Sequence, residues 1–134
     1  MSLFFLMIDQ GSRTISWVRA GHDPAILYDP AKDLVEELVG PGMVLGAEED
    51  YRYQQADKTI EAEGAVILLG TDGIWEAYNS EGELFGKERL HQIIRDNADK
   101  SAAAIQGAIL YEVSKFRGNL PQEDDITIVV VKIL

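Results

Sequence analysis

Residues 65–90, AVILLGTDGIWEAYNSEGELFGKERL, constrain the fold more than any other stretch of the chain. Ala65–Gly70 is a short unbroken apolar run, closed by Thr71-Asp72-Gly73. A run of that length ending in a carboxylate and a glycine reads as a buried strand that delivers an acid to the edge of the core. The segment after it, IWEAYN, is too short for a helix, and Asn79-Ser80-Glu81-Gly82 marks a loop. A periodic amphipathic pattern then begins near Gly86, with Leu90, Ile93 and Ile94 on one helical face.

The remaining elements follow from their own patterns. LFFLMID at 3–9 and TISWVRA at 14–20 flank a polar turn and predict an antiparallel hairpin. A first strand this apolar requires cover on both faces, from this chain's helices or from elsewhere. AILYD at 25–29 predicts a third strand and LVEELV at 34–39 a fourth. The glycine-rich stretch 40–46 lacks the Lys and Ser/Thr of a nucleotide-binding P-loop, so it is expected to turn the chain and approach the sheet closely. Tyr51 to Ile60 predicts another strand, and ITIVVVKI at 126–133 the last. A second helix, capped by Asp99 or Ser101, carries Ile105, Ile109, Val113 and Phe116 at spacings of three or four and stops at Gly118.

Length and charge narrow the function. A chain of 134 residues supports one domain or a large part of one. With 23 Asp and Glu against 12 Lys and Arg, it offers no basic stripe to nucleic acid. It has no cysteine, hence no disulfide and no thiol chemistry, which fits a cytoplasmic protein. No apolar run reaches membrane-spanning length.

Two acidic motifs remain. Asp72 follows one apolar strand, and Asp124-Asp125 precede another. If those strands run antiparallel, the acids meet at one edge of the sheet. Two readings stay open: the acids stabilise turns, or they converge as hard oxygen ligands for Mg²⁺ or Mn²⁺. Glu76, Glu81, Glu83 and Glu123 are read as solvating surface acids. His22, in Gly21-His22-Asp23-Pro24, is read as a hydrogen-bonding residue in a fixed turn.

Three segments in order, AGHDPAILY, LLGTDGIWEAYNSEGELFGKERL and DDITIVVVKI, resemble the C-terminal half of PPM or PP2C-type serine/threonine phosphatases. The likeness is nearest to the bacterial branch typified by SpoIIE and RsbU. The resemblance implies an α+β fold: a partial PP2C-like sandwich of antiparallel sheets with two main flanking helices. It also implies hydrolysis of phosphoserine or phosphothreonine in a phosphoprotein by water that two Mg²⁺ or Mn²⁺ ions activate. Asp72 and Asp124 match the family's acidic ligands, while Gly73, Asp125, Thr127 and His22 match supporting positions. Complete members carry a further acidic motif upstream that residues 1–134 lack. The chain is therefore expected to be a C-terminal portion with an incomplete site, weak or inactive alone. A non-catalytic protein-binding or regulatory module is the alternative, with a dimer or an upstream domain supplying the missing sheet cover.

Overall fold

The computed structural model describes residues 1–134. Seven strands and two helices follow the order β1 (Leu3–Asp9), β2 (Thr14–Ala20), β3 (Ala25–Asp29), β4 (Leu34–Leu38), β5 (Ala56–Thr59), β6 (Ala65–Gly70), α1 (Gly86–Asn97), α2 (Ala102–Arg117) and β7 (Ile128–Ile133). They form two antiparallel sheets, β1-β2-β5 and β4-β3-β6-β7. The expected α+β sandwich with two flanking helices is the observed architecture.

Period-2 alternation in β3 and β6 makes the four-stranded sheet central to both cores. Ala25, Leu27, Ala65 and Ile67, with Leu38 of β4, point to the three-stranded sheet, where they meet Ile15, Trp17 and Ile60. Ile26, Tyr28, Val66 and Leu68 point the other way, onto Leu90 and Ile94 of α1 and Ile105, Ile109 and Val113 of α2. Both faces of β6 are thus covered, as its unbroken apolar run requires. Burying an aliphatic side chain such as Ile67, fully enclosed here, contributes about 1.5–3 kcal/mol.

The hairpin is less fully covered. Phe4, Leu6 and Ile8 pack against the inter-sheet core, while Leu3, Phe5 and Met7 on the opposite face are 44%, 55% and 52% exposed. The helices lie on the other sheet, so this chain does not cover the outer face of β1.

The helix boundaries follow local chemistry. Ser101, rather than Asp99, caps α2: its Oγ accepts the Ala104 N–H at 3.1 Å. Gly118, at φ 62°, ends the helix and donates its N–H to the Ser114 carbonyl at 3.0 Å. In the 40–46 loop, a Cβ on Gly42 would stand within bonding distance of the Arg19 carbonyl oxygen. Arg19 also donates from Nη1 to the Gly40 carbonyl at 2.9 Å, so the loop lies against β2 as expected. No helix is long and apolar enough to cross a membrane.

Candidate metal centre

β6 and β7 pair antiparallel, with Gly70 opposite Ile128. This register brings the residue after one strand and the segment before the other to the same sheet edge. There the carboxylate oxygens of Asp72, Glu76 and Asp124 all lie within 4.8 Å of one another, and all three residues are exposed. The sequence pairing of Asp72 with Asp124 is therefore reproduced in space.

Glu76 is the addition: it is a neighbour in the candidate metal site and not a solvating surface acid alone. Residues 71–76 wind into a single turn in which the Ile74 N–H bonds to the Thr71 carbonyl at 3.1 Å and the Glu76 N–H to the Asp72 carbonyl at 2.8 Å. One turn places positions i and i+4 on the same side. The Asp72-x-x-x-Glu76 spacing was the available signal.

Backbone contacts join the two acidic loops. Thr71 Oγ1 donates to the Asp125 carbonyl at 3.2 Å and accepts the Thr127 N–H at 3.0 Å. The Thr71 N–H bonds to the Thr127 carbonyl at 3.2 Å. Thr71 was not singled out from the sequence, yet it is the residue that pins the Asp124 loop to β6. Thr127 takes part through its backbone and lies just outside β7. Gly73 is required by close approach: a Cβ there would stand 2.4 Å from the Asp125 carbonyl oxygen. Asp125 thus contributes a carbonyl to the loop contact.

His22 is not one of the clustered groups. Its Nδ1 lies 3.1 Å from Ser2 Oγ, and its carbonyl accepts from Arg19 Nε at 2.9 Å. It shares a groove of about 210 Å³ with Leu3, Thr71 and Thr127.

A second cavity, of about 300 Å³, opens beside the three acids and is lined by Glu76, Tyr78, Leu84, Arg117, Glu123 and Asp124. Across it Tyr78 donates its hydroxyl to Glu123 Oε1 at 2.5 Å. That bond holds the Tyr78 hydroxyl above its ordinary value of 10.0, with desolvation and the Glu123 charge adding in the same direction.

The donor set suits a hard divalent cation: three carboxylates, no sulfur and no imidazole. The three carboxylate oxygens, all within 4.8 Å of one another on exposed side chains, would have to draw together to share one ion.

A family model described as stage II sporulation protein E (SpoIIE) matches residues 1–134 in full. The chain belongs to the SpoIIE family. Among curated relatives of this SpoIIE-family chain, "Phosphoserine phosphatase RsbU" of Bacillus subtilis (strain 168) is 26% identical over 132 residues, 98% of the chain. Protein IcfG of Synechocystis sp. is 25% identical over 130 residues, 97% of the chain. The chain spans 38% of the first relative's length and 20% of the second's. Among solved structures, the SiaA-PP2C domain of Pseudomonas aeruginosa superposes with a TM-score of 0.84 at 25% identity, covering 98% of the chain and 51% of that structure. The phosphatase domain of SpoIIE from Bacillus subtilis gives 0.73 at 18% identity, covering 98% and 56%. The chain is thus PP2C-like phosphatase-domain sequence of the SpoIIE and RsbU kind, matching about half of such a domain.

Proposed function

We propose that the chain is the C-terminal part of a divalent-metal-dependent protein phosphatase domain that hydrolyses phosphoserine and phosphothreonine. The observation that carries this reading is the convergence of Asp72, Glu76 and Asp124 within 4.8 Å in a SpoIIE-family chain. The chain's relative, the phosphoserine phosphatase RsbU, supports phosphoserine as a substrate. Asp72 and Asp124 are the proposed catalytic metal ligands, joined by Glu76, for Mg²⁺ or Mn²⁺. Such ions, when bound, lower the pKa of water and neutralise charge on phosphoryl oxygens. The chain's own work is to hold the acids. Gly73 lets the loops approach, the Asp125 carbonyl and Thr127 backbone meet Thr71, and His22 supports the neighbouring turn. A phosphoprotein or regulatory protein as partner, and a cytoplasmic location, belong to the same proposal.

The edges of the sheets support a larger domain. β4 carries Glu36 and Glu37, and β5 carries Asp57 and Lys58, as edges exposed to water usually do. The other two edges, β1 (LFFLMID) and β7 (IVVVKI), are largely apolar. Strands of that composition suit the interior of a sheet, so pairing with further residues is proposed there, together with the rest of a two-ion site.

Calorimetric Mn²⁺ titration tests the ligands: Asp72→Asn with Asp124→Asn is expected to reduce affinity in a folded protein, and unchanged affinity and stoichiometry would sink the reading. Mn²⁺-dependent release of phosphate from a phosphoserine peptide tests the larger domain. Turnover is expected to be slow for the isolated chain and to rise when the upstream half is joined. Robust turnover by the isolated monomer, abolished by Asp72→Asn, rejects the need for that half.

The exposed alternation of Leu3, Phe5 and Met7 favours a second reading, a protein-binding module without catalysis. Under it, Phe5→Ser weakens association measured by sedimentation, and turnover stays absent even with the upstream half joined.

A further inference from the structure

Asp124 lies on an irregular, largely exposed segment between α2 and β7. No side chain or backbone N–H donates to its carboxylate among the hydrogen bonds of the fold, so its position depends on its chain neighbours. On the C-terminal side those neighbours are tied to Thr71. On the N-terminal side Arg117 Nε donates to the Leu120 carbonyl at 3.1 Å, and next to Asp124 itself the tie is the 2.5 Å bond from the Tyr78 hydroxyl to Glu123, which joins residues 45 apart in sequence.

Tyr78 is well placed to act as the fixed end. It bridges Leu84 in antiparallel fashion. The loop between them is closed by the Asn79 side chain, which accepts from the N–H groups of Glu81 at 3.0 Å and Glu83 at 2.9 Å. Just beyond, the Phe85 N–H bonds to the Ala77 carbonyl at 2.7 Å and the Gly86 N–H to the Trp75 carbonyl at 2.9 Å, with Phe85 itself in the core. Glu123 belongs to the exposed segment. An O–H donor on a carboxylate is among the stronger hydrogen bonds.

We propose that Tyr78 is a positioning residue for Asp124, acting through Glu123. The Tyr78–Glu123 brace and the Thr71 ties hold Asp124 from its two sides, and the brace forms one wall of the cavity beside the acids. The inference rests on the proposed metal site and adds residues that set its geometry without binding the ion.

The test is Mn²⁺ calorimetry on the 134-residue chain, with amide NMR of residues 122–126 recorded without metal. Tyr78→Phe removes only the hydroxyl. It is expected to shift and loosen the Asp124 and Asp125 amides, and to lower Mn²⁺ affinity about fivefold, short of the roughly 10–100-fold typical of a ligand's direct partner. Its melting temperature stays that of the wild type. Glu123→Gln keeps an acceptor oxygen and retains most of the affinity, whereas Glu123→Ala matches Tyr78→Phe. Tyr78→Phe combined with Glu123→Ala is no worse than either alone, the signature of one shared interaction. Unchanged amides and affinity in Tyr78→Phe, beside a weakened Asp72→Asn, overturn the brace and leave the metal site standing. A wild type that binds no Mn²⁺ overturns the metal site, and the brace's purpose with it.

Discussion

Replacing Gly73 by alanine tests the contact between the two acidic loops with a single methyl group. The added Cβ would stand 2.4 Å from the Asp125 carbonyl oxygen and 3.1 Å from its carbonyl carbon, both backbone atoms. That is roughly 1 Å inside ordinary contact, and no rotamer change relieves it because the obstruction is main chain. The loop must move, and the Thr71 bonds to Asp125 and Thr127 stretch or break with it. Overpacking of this kind costs about 1–3 kcal/mol, which at roughly 4 °C per kcal/mol for a chain of this size lowers Tm by about 4–12 °C. Mn²⁺ affinity should fall as well, because Asp124 immediately precedes the displaced carbonyl. The matched control is Gly107→Ala in α2, where a Cβ meets nothing within 4 Å. There, removing a helical glycine should stabilise by about 0.5–1 kcal/mol. Thermal unfolding followed by circular dichroism, with calorimetric Mn²⁺ titration, reads both variants. A Gly73→Ala protein that melts with the wild type and binds Mn²⁺ equally well would refute the argument.

Three further outcomes are expected. Ser101→Ala loses the cap on the Ala104 N–H and should cost about 1 kcal/mol in urea unfolding, whereas Asp99→Ala should cost far less. Ile67→Ala opens a cavity between the two sheets and should cost about 2–5 kcal/mol, visible as a large fall in the urea midpoint. Burial, and then the charge of Arg95 with help from Lys87, holds His91 below the ordinary histidine value of 6.5 against the opposing pull of Glu37 and Glu88. Its Nε2 is buried without a partner. The unfolded chain therefore takes up this proton at a higher pH than the folded one. Stability from this group is complete above 6.5 and is lost as pH falls from there through the lower folded value. His91→Gln should flatten that part of the stability profile, and an unaltered slope would assign it to other groups.

The strands that period and composition declare were legible in the sequence, because β3 and β6 owe their burial to their own apolar side chains and β7 is apolar throughout most of its length. Ser101 and Gly118 were legible for the same local reason. Tyr51 to Ile60 misled, since only Ala56–Thr59 pairs as a strand. Tyr51 and Tyr53 instead pack edge to face, 4.8 Å apart, and the Tyr53 hydroxyl donates to the Met43 carbonyl at 3.0 Å. Alternating aromatic positions there serve loop packing. Ile126 and Thr127 fell outside β7 because the Thr127 backbone meets Thr71 before the ladder begins. At the candidate site, Asp72 and Asp124 could be paired by topology alone. Glu76 could not, because its i+4 spacing from Asp72 becomes informative only once residues 71–76 are seen to wind into a turn. The Tyr78–Glu123 bond joins loops whose meeting only the fold determines.

The two cores also give the acids unequal footing. β6 is gripped by side chains on both of its faces, so Asp72 and Glu76 extend from the best-anchored strand in the molecule, whereas Asp124 arrives on a segment that water largely surrounds. Asp72 and Glu76 thus rest on core packing, while Asp124 rests on the hydrogen bonds at Glu123, Asp125 and Thr127. Cation binding, as proposed, would then draw most on the Asp124 loop. A titration followed by amide relaxation should quieten residues 121–126 while leaving 72–76 almost as still as they were.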